Sequence, residues 1–504
     1  MNRLARLDHL YVWHPFTQMR DWLRQEPIVI VSGRGPYLRD VHGREYLDAN
    51  ASIWTNLHGH NHPGLNAALI RQLRKIAHSS ALGLANEPAS LLAAELVRAT
   101  RSSADRTRPP TQRLCKVFYS DDGSTALEVA LKLAFEFTRR TRGPRSKPRF
   151  LTLQGAYHGD TLGAVALGHI PLFHQTWRPL LFKTDAVMAP YCYRCPFNRA
   201  HPERADARLY RQCQWECIDA VARRLETQRR RRGEPYAAFV FEPLIQGAAG
   251  MIPQPQGWLR RVAELLRASG ALLIADEVMT GFGRTGLPPG PPPRPASAPL
   301  FACQHEHVSP DLLCLAKGLT GGYLPLAATL TTREIFDAFL GRYEEFKTFF
   351  HGHSYTANQL GCATALENLR LLRTRASLQA RLQLQQALAD SLPALWDLPQ
   401  VGDIRQVGLV VGIELVRDWT TREPFDLREQ AGIRVCRALA RRGVLTRPIG
   451  NVIVLMPPYC ITPRQVRQIV ESLILACEET FGTHPPVRHT RRSSKHPAPP
   501  SRQR

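Results

Sequence analysis

No run of about 18 consecutive apolar residues occurs in this chain, which excludes an apolar membrane-spanning helix. Residues 1–13 lack the continuous apolar stretch of a secretory signal. Without an export signal, the 11 cysteines are expected to be reduced thiols in the cytoplasm, not a disulfide framework. Lysine is scarce: 8 lysines stand against 58 arginines. Acidic residues are also in deficit, 43 against 66 basic ones, which leaves a formal charge of +23. Such an excess raises the question of a polyanionic partner. The basic residues are spread along the chain, however, and no nucleic-acid module is visible. Arginine, alanine and proline are enriched together, as in a compositional bias, so no nucleic-acid partner is expected. The few lysines also leave a catalytic amine few places to be.

What the chain does contain is 504 residues, 44% of them apolar, enough for a large core in two or three domains. Short unbroken apolar runs lie at 116–120, 150–153, 237–241, 271–275, 312–316 and 326–330. Runs of this kind fit strands covered on both faces, as in a parallel sheet. Between the first two, residues 124–140 place Leu127, Ala130, Leu133, Ala134 and Phe137 on one helical face. The alternation predicts an α/β domain over 60–345. A helix over 376–392 and strands over 409–415 and 452–456 are expected after it. Residues 288–299 (PPGPPPRPASAP) hold seven prolines in twelve positions and are expected to form an exposed loop. The basic, apolar-poor tail 484–504 is expected to be disordered. Arg229 to Arg232 read as a solvated turn between a helix and a strand.

The strongest local signal is 271–286, ALLIADEVMTGFGRTG. A buried strand ends there in Asp276, where ligands of open parallel sheets sit. A carboxylate at such a place either caps the strand or holds a protonated ring nitrogen. A second buried strand ends in Lys317, followed by Gly318, Gly321 and Gly322. A lone lysine at a strand end is usually solvated. Partial burial would lower its pKa and make the amine a nucleophile toward a carbonyl. In 119–134 (YSDDGSTALEVALKLA) a strand runs into a turn and a helix. The N–H groups of Gly123, Ser124 and Thr125 there offer a phosphate site, or Ser124 is an ordinary helix cap. Tyr157, in GAYHGDT after the strand 150–153, is an aromatic able to stack on a planar ring. A strand-end acid, a strand-end amine, a phosphate cradle and a stacking aromatic together describe a pyridoxal 5'-phosphate site.

Over residues 8–480 the chain resembles the class III aminotransferases, whose signature is IADEVMTGFGRTG with a lysine downstream. Within that class, YVWHPFTQM (11–19), Trp54 with LHGHNHP (57–63), FFHGHSY (349–355) and LTRPIGNVIVLMPPY (445–459) resemble the branch that makes 7,8-diaminononanoate from 8-amino-7-oxononanoate in biotin synthesis. The alternative is a class III enzyme acting on ornithine or 4-aminobutyrate, against which the opening motif and LTRPIG argue.

The resemblance implies a type I aminotransferase fold, α/β, with a large, mostly parallel-sheet domain over 60–345. It also implies a small α/β domain built from 1–59 and 346–483, and a homodimer with small-molecule substrates. Lys317 then matches the lysine that joins the cofactor, Asp276 its ring-nitrogen partner, and Gly123 and Ser124 the phosphate cradle. Tyr157 matches the aromatic over ring and substrate. Gly352, His353 and Ser354 match the segment given by the neighbouring subunit, and Arg447 the residue that binds the keto substrate's carboxylate. Three positions depart. Ile53 precedes Trp54 where members using S-adenosylmethionine carry two tryptophans, Phe16 replaces a tyrosine, and Val454 replaces an aromatic or hydroxyl residue. They leave the amino donor open between S-adenosylmethionine and lysine. Apart from this, Cys192, Cys195, Cys213 and Cys217, in an insertion, are either a thiolate metal site or four reduced cysteines in a helical hairpin.

Overall fold

The computed structural model describes residues 1–288, 290–291 and 293–482; the tail expected over 484–504 lies outside the described residues. The six apolar runs enter one seven-stranded sheet. Its strands are β1 Leu114–Ser120, β2 Phe150–Leu153, β3 Asp185–Val187, β4 Ala238–Phe241, β5 Leu272–Asp276, β6 Leu312–Leu315 and β7 Ala327–Thr332. Their order is β1-β7-β6-β5-β4-β2-β3. From β3 to β6 neighbours pair parallel, whereas β7 runs antiparallel to both β6 and β1. The reason is length. Only the turn after Lys317 and a few residues separate β6 from β7, too few for the crossover that a parallel neighbour needs.

Side chains alternate across this sheet as the pleat dictates. Along β5, Leu273 and Ala275 enter the core on one face with Trp258, Val262 and Leu266. Ile274 enters the other with Leu127, Ala130 and Leu133 of the helix Gly123–Arg142. All residues of β2, β4, β6 and β7 are buried, which explains why these strands carry no charged residue and do not alternate. Each fully buried leucine or valine stabilises the fold by about 1.5–3 kcal/mol.

The chain ends meet in a second sheet. Ile30–Arg34, Tyr37–Asp40 and Glu45–Asp48 form a meander, and Val444–Leu445 adds parallel to its last strand. A third sheet holds Val401–Val407, Val410–Asp418 and Val452–Leu455. The helix expected over 376–392 is Arg375–Ser391. Arg229–Arg232 is not a turn but the last turn of the helix Glu216–Arg232, which Gly233 ends in the left-handed conformation. Four arginines there face the negative end of the helix dipole, a stabilisation the charge run concealed. In the proline-rich segment, Pro288, Gly290 and Pro291 are exposed, while Ala298 is buried. Among the described residues no helix is long and apolar enough to cross a membrane.

Candidate active site

A cavity of about 440 Å³ opens at the carboxyl ends of β5 and β6. Asp276 ends β5 and is buried. Its Oδ2 accepts from His158 Nδ1–H at 2.7 Å, and its Oδ1 from the Val278 N–H at 3.1 Å. The carboxylate is thus fixed from two sides before any ligand arrives. Lys317, one residue past the buried Ala316, sits in the left-handed region at φ +43°. That strained conformation turns the side chain out of the strand direction into the cavity wall. Its Nζ lies 4.9 Å from the centre of the Trp54 ring. Burial lowers the lysine's pKa, with Asp276 and Glu242 opposing. The neutral, nucleophilic form is favoured by that desolvation.

Glu242, just beyond β4, accepts from the Gly247 N–H at 2.7 Å and the Tyr157 N–H at 3.3 Å. Its pKa is pushed up to about 7, first by burial and further by Asp276, against His158. Glu242→Gln should therefore change the pH dependence of stability. Unfolded, the carboxyl ionises near 4.5; folded, it holds its proton to about 7. Between these values the wild type loses stability as pH rises, at most about 1.4 kcal/mol per unit for one proton, and the glutamine variant does not. Thermal melts of the cofactor-free proteins should show the variant's advantage growing from pH 5 to 7 and then levelling. A constant difference would contradict the shift.

The opposite end of the cavity is the start of the helix Gly123–Arg142. Asp122, not Ser124, is its cap, accepting from the Thr125 N–H at 2.9 Å. The first helix N–H groups lie outside the intrahelical ladder and favour an anion. Ser124 Oγ accepts from the Asp160 N–H at 3.0 Å, which leaves the hydroxyl hydrogen to donate. A Cβ on Gly123 would lie 2.8 Å from Val278 Cγ1, and one on Gly159 1.8 Å from Ser124 Oγ. Backbone is brought here closer than any side chain permits. Tyr157 lines the cavity and donates its hydroxyl to Asp160 Oδ2 at 2.6 Å. Burial, with Asp160 in support, pushes that hydroxyl's pKa up and keeps it protonated.

The family model described as "Aminotransferase class-III" matches residues 19–477. The chain belongs to the class III aminotransferase family. It is 47% identical over 466 residues to the adenosylmethionine-8-amino-7-oxononanoate aminotransferase of Geobacter sulfurreducens, covering 92% of this chain and 95% of that one. The crystal structure of the Methanocaldococcus jannaschii protein of the same name superposes with a TM-score of 0.82 at 38% identity, covering 95% of this chain and 99% of that one. An amine transaminase from an uncultivated Pseudomonas species, in its PLP-bound form, gives 0.81 at 32%, covering 93% and 98%. The fold is the type I aminotransferase fold, and the protein is an aminotransferase.

The cavity suits the cofactor such enzymes use. It offers an anion-favouring helix start, a fixed carboxylate at depth, a buried amine and an aromatic wall, and its size lies within the range of cofactor pockets. The sequence pointed to Lys317, Asp276, Gly123, Ser124, Tyr157 and Trp54, and all six line it. The other expected residues of this aminotransferase lie outside its lining. Phe16 reaches Tyr157 only through Phe173, with ring centres at 5.3 and 6.3 Å. Ile53 is 41% exposed. His353 Nδ1 stands 3.3 Å from Asp121 Oδ2 at the rim. Gly352, Ser354 and Arg447 are exposed. Val454 is buried in the third sheet, paired with Gly412.

The sequence alone marks neither His158 nor Glu242 for a role. His158 lies inside GAYHGDT beside Tyr157, but nothing in one chain's order says that its ring meets Asp276, 118 positions away.

Cys192, Cys195, Cys213 and Cys217 do surround one small cavity. They do not form a helical hairpin: Cys192 is in a single 3-10 turn, and Cys217 begins the helix Glu216–Arg232. Burial pushes the pKa of Cys192 up to about 12 and of Cys217 to about 11, which favours protonated thiols. Among the described residues no group of three or more His, Cys, Asp or Glu is arranged to hold a metal ion.

Proposed function

We propose that this aminotransferase converts 8-amino-7-oxononanoate to 7,8-diaminononanoate in biotin synthesis, with pyridoxal 5'-phosphate as cofactor and S-adenosylmethionine as amino donor. The observation that supports this most is the match, over 92% of the chain, to a relative named for that reaction, together with Lys317 and Asp276 on one cavity.

In this reading Gly123 and Ser124 hold the cofactor's phosphate, Asp276 its ring nitrogen, and Tyr157 one face of its ring. Lys317 is the lysine to which it is joined. Bound there, the cofactor supplies an electron sink that makes a C–H bond beside nitrogen acidic. The chain's own work is positional and acid–base. His158 and the Val278 N–H keep Asp276 oriented toward the ring. Lys317 Nζ, its basicity lowered by burial, is the group placed to take the proton from the amine-bearing carbon and to return it. Trp54 and Tyr157 wall the chamber that the substrate enters beside that amine.

Gly352, His353 and Ser354 are assigned to the cavity of a second copy in a homodimer; Phe350 and Tyr355 beside them are 75% and 62% exposed. Residues 1–59 and those beyond 345 are assigned to one smaller domain, supported by the strand pairing of Val444 with Leu47, and 60–345 to the cofactor domain. A cytoplasmic location is part of the same reading. Phe16, Ile53 and Trp54 are assigned to the substrate chamber.

Arg447 is assigned to the carboxylate at the far end of the keto substrate, a task suited to a guanidinium fork. Arg447→Ala should raise KM for 8-amino-7-oxononanoate about tenfold or more, the scale of one charged hydrogen-bonded pair, and change the S-adenosylmethionine half-reaction less. Equal loss in both would remove the residue from that role. Ile53 favours one second reading, lysine as donor. Absorbance traces of the holoenzyme with each donor decide it: conversion by lysine and not by S-adenosylmethionine would replace the donor proposed here.

A further inference from the structure

Ala51, Ser52, Ile53 and Trp54 have φ values of +46, +49, +62 and +70°. Four successive non-glycine residues thus form one left-handed helical turn, closed by Trp54 N–H to Asn50 O at 2.9 Å and Thr55 N–H to Ala51 O at 3.0 Å. L-residues enter that region singly and at a cost, not in series. Something must therefore over-determine the turn.

That something is the buried Asp48. Its Oδ2 accepts from Ser52 N–H at 2.9 Å, Ser52 Oγ at 3.1 Å and His60 Nε2 at 3.0 Å, and its Oδ1 from Asn50 N–H at 3.1 Å. The direction of the histidine bond is fixed by its other side. Gly59 N–H donates to Asn56 Oδ1 at 2.8 Å, which turns the amide nitrogen of Asn56 toward His60 Nδ1 at 3.1 Å. His60 Nδ1 is therefore the acceptor, and Nε2–H points at Asp48. At the other end of the turn, Trp54 Nε1 donates to Asn50 Oδ1 at 2.9 Å. This fixes the indole that stands 4.9 Å from Lys317 Nζ.

We infer that Asp48 is a positioning residue: its carboxylate clamps the left-handed turn 51–54 and so sets Trp54 as the wall of the amine-binding chamber, a role that rests on the function proposed above. Asp48 touches neither the cavity lining nor Lys317, so its effect belongs in substrate binding rather than in proton transfer. The left-handed turn also explains why Ser52 and Ile53 are exposed while Trp54, next in the chain, faces the cavity.

The test compares wild type, Asp48→Asn, and Asp48→Asn with Ser52→Gly. Asparagine keeps the shape but turns an N–H₂ toward donors. Glycine takes positive φ without strain and keeps the amide at the exposed position 52. Two readouts are taken. Hydrogen exchange of peptides covering 49–56, on cofactor-free protein, reports the turn itself. KM and kcat of the holoenzyme, with 8-amino-7-oxononanoate and with the donor, report its use. Asp48→Asn should speed exchange about tenfold in that segment alone and raise KM about tenfold with kcat within about threefold. Ser52→Gly should restore both by half or more.

Faster exchange with unchanged KM, raised KM with unchanged exchange, or no rescue would each overturn the assignment. Should Asp48→Asn not fold, His60→Ala, which removes one donor to the carboxylate, decides it: the same two readouts should move together by about threefold, and movement of one alone would overturn it. A wild type that transaminates no amine would fail the proposed function instead, while the exchange result would still report on the clamp.

Discussion

Lys317→Ala should fold, bind pyridoxal 5'-phosphate without a covalent link, and lose turnover by on the order of 10⁴-fold or more, because one amine serves both as the cofactor's attachment and as the mover of a proton. Borohydride reduction of the wild-type holoenzyme followed by peptide mapping should place the cofactor on Lys317 and on none of the other seven lysines of the chain. The same substitution has a readable effect on stability. Burial lowers the Lys317 pKa, so the unfolded chain binds the proton more tightly than the folded one, and stability rises with pH toward the ordinary lysine value of 10.5. The cofactor-free Lys317→Met protein should therefore melt above wild type at pH 7, and the gap should narrow by pH 10. A variant that melts lower at pH 7 would mean that the amine is solvated or well paired, and its nucleophilicity would need another cause.

Asp276→Asn should keep the fold and lower kcat by about 10²–10³-fold, several kcal/mol of electrostatic stabilisation. The amide can still accept from the Val278 N–H, but it carries no charge. It also disturbs His158, whose Nδ1–H now faces a group that competes for donor and acceptor roles. His158→Phe separates the two contributions, since it keeps the carboxylate but leaves it held by the Val278 N–H alone. Its loss of kcat should be smaller than that of Asp276→Asn. A near-normal kcat in Asp276→Asn would remove the carboxylate from its assigned place.

Much of this site was legible because it is local. Asp276 ends one apolar strand and Lys317 follows two residues after another, and adjacent parallel strands of a sheet bring their ends together. The helix start at Gly123 and Ser124 was legible because a strand, a turn and a long amphipathic helix follow one another. What stayed hidden depends on pairs distant in sequence or on backbone shape. The His158–Asp276 bond joins two loops that only the sheet order brings together. The antiparallel course of β7 follows from the short link after Lys317, which its apolar composition does not reveal. Arg229 to Arg232 look like a solvated turn because charge masks helix periodicity, and only Gly233 marks the true end. The left-handed turn at 51–54 contradicts every local preference of Ala, Ser, Ile and Trp, so propensity cannot foresee it. It exists because Asp48 and His60, on either side of it, hold it there. Phe16, Gly352, Ser354 and Arg447 rest on motif likeness alone, and they lie outside the cavity lining.

One buried amine and one fixed carboxylate are proposed to serve the amination of 8-amino-7-oxononanoate. The most direct measurement incubates purified protein with pyridoxal 5'-phosphate, 8-amino-7-oxononanoate and S-adenosylmethionine, in parallel with lysine as donor, and follows 7,8-diaminononanoate by mass spectrometry for wild type and Lys317→Ala. Diaminononanoate from the wild type with S-adenosylmethionine, and none above background from Lys317→Ala, is the predicted result. No diaminononanoate with either donor from a cofactor-loaded wild type, or undiminished formation by Lys317→Ala, would contradict it.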